Sequence, residues 1–99
     1  MDELDDLQGF QWDQGNAEKN WVAHGVTQAE CERVLLGAPL IVNPDVLHSR
    51  QETRYYALGE TDVGRRLFIV FTVRDRLVRV ISARDMSFRE RRAYEDASE

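Results

Sequence analysis

Arginine is concentrated near the carboxyl end of the chain, along two apolar segments and the polar segment that follows them. Residues 65–92 include nine arginines and three acidic residues, a local balance of +6 in a chain whose net charge is −5. Lys19 is the single lysine among thirteen basic residues. Because the planar guanidinium group binds two phosphate oxygens at once, this choice of cation predicts a phosphate-binding surface.

Arg79 occupies an informative position within the second apolar segment. Strand alternation places it on the face of the residues expected to pack, Leu77, Ile81 and Ala83. A cation there requires either a carboxylate partner or a bound anion, and we favour the anion. Arg84 has the opposite parity, so the two arginines share a face only if a β-bulge or the strand end reorients Arg84.

A neighbouring strand, predicted over 53–59, combines cationic and aromatic residues. Arg54 precedes Tyr55 and Tyr56, and such interleaving suits single-stranded RNA, because cations bind the phosphates while rings stack on the bases. The alternative is that the tyrosines belong to the core and expose their hydroxyl groups.

The two histidines of the chain are candidates for proton transfer. His24 ends a predicted helix, where an accessible ring can act as general acid or base. The alternative is a histidine that interacts with the helix C-terminus. Lys19 could reach the same site or pair with a neighbouring acid, and His48 is expected to be a solvated loop residue.

Capping patterns predict three helices. Asp13 is a suitable N-cap for a helix that Gly25 ends, and Thr27 with Glu30 opens a second helix that stops at Gly37. Ser87 with Glu90 opens a C-terminal helix, on which Arg91 and Tyr94 share one face.

Five strands complete the predicted order β-α-α-β-β-β-β-α, and they lie at 10–12, 40–42, 53–59, 67–73 and 77–84. Residues 67–73 are apolar on both faces, which indicates a central strand, and Arg74-Asp75-Arg76 is short enough to form a hairpin. The simplest result is an α+β domain with an antiparallel meander and its helices on one side of the sheet.

Composition indicates one domain, over residues 10–99, since 42% hydrophobic content in 99 residues supports a single core. Residues 1–9 are acidic and are expected to form a mobile tail. The alternative is that the tail shields the basic surface. Cys31, the single cysteine, is expected to pack without chemistry. Neither a membrane span nor a secretory signal is evident, which predicts a cytoplasmic protein.

Several motifs, in this order, resemble the BrnT family of type II toxins: Phe10-x-Trp12-Asp13, Asn20-x-x-x-His24-Gly25-Val26, Arg54-Tyr55-Tyr56-Ala57-Leu58-Gly59, Arg79-Val80-Ile81-Ser82-Ala83-Arg84 and Arg89-Glu90-Arg91-Arg92-Ala93-Tyr94-Glu95. The resemblance runs from about Phe10 to Glu95, and the sequence departs from the family pattern at Gln14, commonly proline, and at Ala23, commonly basic. It implies a compact RelE-like fold and a ribonuclease that arrests translation. It also implies neutralisation by BrnA, a ribbon-helix-helix antitoxin through which the toxin meets DNA indirectly.

We therefore expect an endoribonuclease without metal or other cofactor, in which the 2′-hydroxyl of the RNA attacks the adjacent phosphate. The expected catalytic residues are His24 and Lys19 for proton transfer, and Arg54, Arg79 and Arg84 for the phosphate. The expected RNA contacts are Tyr56, Ser82, Arg91 and Tyr94. The alternative is a non-catalytic, degenerate family member that acts in an antitoxin complex and in operator repression.

Overall fold

Capping motifs set the starts of three helices within residues 3–98, the part of the chain that the computed structural model describes. Asp13, Thr27 and Ser87 each accept a hydrogen bond from the backbone N–H three residues later, and the side chain at that later position accepts one in return. These caps open α1 (Gln14–His24), α2 (Gln28–Leu36) and α3 (Phe88–Ser98). Gly25 ends α1 at φ 64°, in the left-handed conformation. The three predicted helix starts are confirmed.

Five strands form one sheet: β1 (Gly9–Phe10), β2 (Ile41–Pro44), β3 (Arg54–Glu60), β4 (Arg66–Arg74) and β5 (Leu77–Asp85). The spatial order is β1-β5-β4-β3-β2, so the doubly apolar β4 is central, as predicted. Strands β2 to β5 form the predicted antiparallel meander, whereas β1 joins β5 in parallel. The sheet is therefore mixed. Asp75 and Arg76 have φ values of 53° and 66° and form the two-residue turn between β4 and β5.

A β-bulge interrupts the pairing of β4 with β5. Val70 pairs with Ser82 and the next residue, Phe71, pairs with Val80, which leaves Ile81 as the extra residue of β5. The extra residue reverses the alternation of side chains along β5. Odd-numbered side chains therefore lie on one face of the sheet before the bulge and on the other face after it. Val80 and Ala83 are consequently both buried, although their sequence parity differs.

The main core lies between α2 and one face of the sheet. Cys31 and Val34 of α2 pack there with apolar side chains of β3, β4 and β5. Gly59 permits this close approach, because a Cβ atom at residue 59 would lie 2.8 Å from Cγ1 of Val34. Burial raises the pKa of the Cys31 thiol to about 12, in agreement with its predicted packing role.

Helix α3 packs on the opposite face of the sheet, where Tyr94 joins Leu58, Phe68 and Met86. The expectation that all helices lie on one side is therefore wrong. Alternation along β3 and β4 leaves Leu58 and Phe68 exposed on that second face, and the C-terminal helix buries them.

Helix α1 runs along the free edge of β5 beyond the short β1 strand. Asn16 donates from Nδ2 to the carbonyl oxygen of Val80 at 3.1 Å, and Asn20 accepts from the backbone N–H of Ala83 at 2.9 Å. Both asparagines are buried. Their amides thus satisfy backbone groups that a neighbouring strand would otherwise pair.

Residues 3–9 lie against the domain, which differs from the solvated tail that the sequence predicts. Tyr55 donates its hydroxyl to Glu3 at 2.6 Å, and Asp6 pairs with Arg76 at 3.3 Å. Leu4 also packs against the main core. Leu4 and the pairing of Gly9 therefore connect this segment to the domain, whereas residues 5–8 are exposed, and the mobility expected for residues 1–9 stays a prediction.

Candidate phosphate-binding site

Three rows of side chains cross the sheet on the face opposite α2. In the first row Arg54 pairs with Thr72, which pairs with Arg79. The second row is Tyr56, Val70 and Ser82, and the third is Leu58, Phe68 and Arg84. We call the exposed or half-buried polar and aromatic members of these rows the arginine face: Arg54, Tyr56, Arg79, Ser82 and Arg84.

The bulge is what brings Arg79 and Arg84 to one face. Without the extra residue Ile81, the odd spacing between them would put the two guanidinium groups on opposite sides of the sheet. The sequence prediction that Arg79 shares a face with Ala83 is therefore wrong, and the bulge that it named as the exception is present.

A cationic cleft adjoins the first row at the end of the sheet. Its lining residues are His48, Arg50, Gln51, Glu52, Arg54 and Arg74, and we call it the arginine cleft. Arg74 holds Glu52 with two hydrogen bonds of 3.0 Å. These bonds and the positive charges of Arg74, Arg54 and Arg79 lower the pKa of the Glu52 carboxyl below its usual value. Arg74 therefore contacts Glu52 directly, while Arg54 and Arg79 act on this carboxylate through their charge alone.

Arg79 has a carboxylate partner at the start of α1. Its Nη1 atom lies 2.8 Å from Oδ2 of Asp13, and its side chain is 19% exposed. The hydrogen bond from Arg79 lowers the pKa of Asp13, which also caps α1. Of the two alternatives that the sequence left open, the carboxylate partner is present; anion binding by Arg79 stays a prediction.

Arg54 differs from these neighbours because its guanidinium group forms no ion pair within residues 3–98. Its backbone is fixed by two hydrogen bonds, from the Asp45 N–H to its carbonyl at 2.7 Å and from its own N–H to Ser49 Oγ at 3.0 Å. A half-buried cation that forms no ion pair and whose backbone is held by hydrogen bonds is a suitable group for an incoming phosphate.

Arg84 lies in the third row, which is four residues from the first row along β3, or about 13 Å in the strand direction at a rise of about 3.3 Å per residue. It forms two hydrogen bonds to Glu90, at 2.8 and 3.0 Å, and its guanidinium lies 4.3 Å from the ring centre of Phe68. The bonds to Glu90 raise the pKa of Arg84. Between the two arginines, Tyr56 stacks on Phe68 and remains partly exposed, as does Ser82.

His24 and Lys19 lie away from the arginine cleft. The carbonyl of His24 accepts a hydrogen bond from Arg65, which also pairs with Asp85 at the far end of β5. The Asp85 row is five residues from the Arg54 row along β4, or about 17 Å. Lys19 is exposed on α1 beside Gln14 and Glu18. The structure therefore places His24 at the other end of the sheet from Arg54 and Arg79, and it places Lys19 on α1, whose N-cap Asp13 pairs with Arg79.

The two predicted contacts on α3 have different surroundings. Arg91 is exposed near Asp85, whose pKa it helps to lower. Tyr94 is 1% exposed, its hydroxyl donates to the carbonyl of Pro39 at 3.1 Å, and burial raises its pKa. A ring that is packed in the core cannot stack on a base, so the prediction of Tyr94 as an RNA contact is corrected.

Arg74, Glu52 and Arg50 were not among the predicted site residues, and His48 was expected to be a solvated loop residue. Arg74 could have been placed from the hairpin, because a two-residue turn pairs it with Leu77 and sets Thr72 opposite Arg79. The other three residues lie in the irregular segment before β3, where no periodicity reports the direction of a side chain.

Most arginines of the basic segment are compensated within the chain. Six of the nine, at positions 65, 66, 74, 76, 79 and 84, form ion pairs with carboxylates of the described residues. The predicted local charge of +6 is therefore not presented as a uniform positive surface. Arg89, Arg91 and Arg92 on α3 form no such pair in this part of the chain.

Residues 3–98 show neither a metal-binding cluster nor a membrane-spanning helix. They contain no group of three or more His, Cys, Asp or Glu side chains placed to hold a metal ion. None of their helices is long and apolar enough to cross a membrane.

The fold and the arginine face define a small α+β protein that presents paired and free guanidinium groups on one side of its sheet. A family model described as "Ribonuclease toxin, BrnT, of type II toxin-antitoxin system" matches residues 12–90, and the chain belongs to this family. The resemblance seen in the sequence is thereby confirmed. Membership implies an antitoxin partner.

The crystal structure of the Brucella abortus ribonuclease toxin BrnT has the same fold. The two chains share 24% sequence identity with a TM-score of 0.61, over 81% of this chain and 97% of the Brucella chain. No curated protein matches the chain.

Proposed function

We propose that this chain is an active, metal-independent endoribonuclease toxin that inhibits translation in the cytoplasm. A BrnA-like ribbon-helix-helix antitoxin neutralises it and makes the contacts to DNA. The observation that supports this proposal is that Arg54 and Arg74 line one cleft, that Arg79 lies in the same row of the sheet as Arg54, and that Arg54 forms no ion pair within residues 3–98. A phosphodiester bound beside Arg54 could displace Glu52 from Arg74 or Asp13 from Arg79 and so gain a second cation.

The chemistry follows from that arrangement. The 2′-hydroxyl of the substrate attacks the adjacent phosphorus, and the pentacoordinate transition state carries more negative charge than the ground state. Arg54 and Arg79 in the first row stabilise this extra charge, because guanidinium groups held by the protein need no reorganisation during the reaction. Arg84, Ser82 and Tyr56 extend the surface along the sheet for neighbouring nucleotides.

The assignment of residues to proton transfer stays a prediction. His24, with Lys19, was assigned this role from the sequence, and its exposed ring at the end of α1 is accessible to a substrate. Its separation from the first row means that an RNA strand would have to react near Arg84 and Arg91 for His24 to take part. Replacement of His24 tests this role directly.

Expression of the chain without its antitoxin tests the proposed function. Growth should stop, and the purified protein should cleave single-stranded RNA in the presence of excess EDTA. Cleavage products ending in a 2′,3′-cyclic phosphate would support attack by the 2′-hydroxyl. Normal growth together with intact RNA would contradict the proposal.

A second candidate function is a non-catalytic module that acts in the antitoxin complex and in repression. The pairing of six arginines with carboxylates of the same chain favours it, because compensated cations attract RNA weakly. Under this alternative the chain alone would leave growth unchanged and still bind the antitoxin.

Arg79→Ala is expected to reduce cleavage by about 10²-fold or more while the domain stays folded, because the variant removes one cation from the transition state. The matched control is Asp13→Asn, which keeps an N-cap side chain but removes the charge that competes for Arg79. It should be at least as active as the wild type. Cleavage rates and circular dichroism spectra check both variants. Loss of the folded spectrum in Arg79→Ala, or equal inactivation by Asp13→Asn, would instead indicate a structural ion pair.

Charge reversal on α3 is expected to slow association with the antitoxin. Arg89 and Arg92 are exposed next to Phe88, which is 76% exposed, and together they form a surface suited to an acidic or mixed-charge segment. The double variant Arg89→Glu/Arg92→Glu should associate more slowly, and the difference from the wild type should shrink with added salt. Stopped-flow or surface-based kinetics measure this, with Arg33→Glu on α2 as the control. If the double variant and the wild type associate with the antitoxin at equal rates at both low and high salt, a partner that binds the basic residues of α3 would be ruled out.

A further inference from the structure

His48 and Asp45 form a carboxylate–imidazole pair at the rim of the arginine cleft. Nδ1 of His48 lies 2.9 Å from Oδ2 and 3.0 Å from Oδ1 of Asp45. The Asp45 side chain is 19% exposed, whereas that of His48 is 67% exposed. The carboxylate is therefore the fixed, half-buried member of the pair, and the ring extends from it toward solvent and the cleft.

This contact determines which ring nitrogen carries the proton in neutral His48. An ionised carboxylate accepts hydrogen bonds and cannot donate one, so Nδ1 must be the protonated nitrogen. Nε2 then carries the free lone pair, and it forms no hydrogen bond within residues 3–98. A ring held in this tautomer is prepared to accept a proton through Nε2.

The backbone around the pair is connected to Arg54. The Asp45 N–H donates to the carbonyl of Arg54 at 2.7 Å, and Ser49 Oγ donates to the carbonyl of Asp45 at 2.7 Å. Ser49 Oγ also accepts from the Arg54 N–H at 3.0 Å. These bonds fix the short helical turn Val46–His48 against the start of β3. The histidine and the uncompensated arginine are therefore held by one network on one cleft.

We propose that His48 is the general base of RNA cleavage and that Asp45 is its positioning residue. This inference rests on the proposed ribonuclease function. Nε2 of His48 takes the proton of the 2′-hydroxyl, the 2′-oxygen forms a bond to phosphorus, and the bond from phosphorus to the 5′-oxygen breaks. The departing 5′-oxygen takes a proton from water, and the hydroxide so formed removes the proton from His48. The products are a 2′,3′-cyclic phosphate and a 5′-hydroxyl.

His48 suits the phosphate site better than His24 does. His48 lines the same cleft as Arg54 and Arg74, and its Nδ1 has a carboxylate partner. His24 lies near Asp85 at the other end of β5, and its contact with Arg65 is made by its backbone carbonyl. A base must be within hydrogen-bond reach of the proton that it removes, which favours the histidine on the cleft that binds phosphate.

Matched alanine variants of the two histidines test the assignment. His48→Ala should cleave single-stranded RNA about 10²- to 10⁴-fold more slowly than the wild type, and this loss should be larger than the loss in His24→Ala. Added imidazole should restore part of the activity of His48→Ala, which a merely structural role would not permit. Wild-type cleavage by His48→Ala would overturn the assignment and leave the proposed function intact. If the wild type itself does not cleave RNA, both are overturned.

A second measurement does not depend on cleavage. The chain has two histidines, so their ring signals can be resolved by NMR and assigned with His48→Ala. A 2′-deoxy analogue of the RNA oligonucleotide should shift the ring signals of His48 and leave those of His24 unchanged. Asp45→Asn should alter the ring ¹⁵N signals of His48, because the tautomer is no longer fixed by a carboxylate. Binding of the analogue with unchanged His48 signals, or unchanged ¹⁵N signals in Asp45→Asn, would contradict the proposal.

Discussion

Arg54→Ala is expected to reduce RNA cleavage by about 10²-fold or more, because the variant removes the arginine of the cleft and first row that forms no ion pair within residues 3–98. The free energy of unfolding should change by no more than about 1 kcal/mol, since the side chain makes no ion pair to lose. Single-turnover cleavage measures the first quantity and urea denaturation measures the second. The two together separate a catalytic role from a structural one.

Arg76→Ala is the matched control for Arg54→Ala. Arg76 lies in the turn between β4 and β5, where it pairs with Asp6 and is 61% exposed. Its loss should leave cleavage unchanged. If both variants lose activity equally, the effect comes from total charge and not from the position of Arg54 in the first row of the arginine face.

Tyr94→Ala is expected to lower the free energy of unfolding by about 3–5 kcal/mol, the usual cost of removing a large buried ring. Tyr94 is 1% exposed and anchors α3 against Leu58, Phe68 and Met86. No other described residue of α3 is buried, so the helix has no second anchor of this kind. Urea denaturation of the purified variant measures the change.

Two controls distinguish the parts of this effect. Tyr94→Phe removes the hydroxyl that donates to Pro39 and should cost about 1 kcal/mol. Phe88→Ala removes an aromatic ring that is 76% exposed on the same helix and should change stability by about 0.5 kcal/mol or less. A small effect of Tyr94→Ala would restore Tyr94 as a candidate for RNA contact.

The helices could be predicted from the sequence because their starts depend on local chemistry. Thr27 with Glu30 and Ser87 with Glu90 are reciprocal pairs within four residues, and Gly25 is suited to the left-handed end of α1. These signals require no knowledge of the rest of the fold. The central position of β4 was also predictable, because both of its faces are apolar.

The assignment of β5 side chains to the two faces of the sheet could not be predicted, because no local sequence pattern indicates that Ile81 is an extra residue. The bulge is defined by the register between β4 and β5, which is a property of two strands. Ordinary alternation therefore placed Arg79 with Ala83, and the pairing in the sheet places it with Arg84.

The prediction of the site residues from the sequence was limited, because long-range packing decides which of them are buried. Tyr94 was assigned to the surface because a single helix does not reveal which of its faces will be buried. His48 was assigned to solvent because its link to Arg54 runs through Ser49 and Asp45, a network that the sequence does not display.

The internal ion pairs of the arginine face affect how RNA affinity should respond to salt. A free cation that meets a phosphate releases the counterions condensed there, and each such contact steepens the fall of affinity with ionic strength. At Arg79 or Arg84 the phosphate would exchange places with Asp13 or Glu90, so that the number of neutralised charges hardly changes. Affinity gained in this way reflects the shape of the guanidinium site more than its charge. An acidic protein can thereby hold one phosphodiester firmly without adhering along the length of every RNA that it meets.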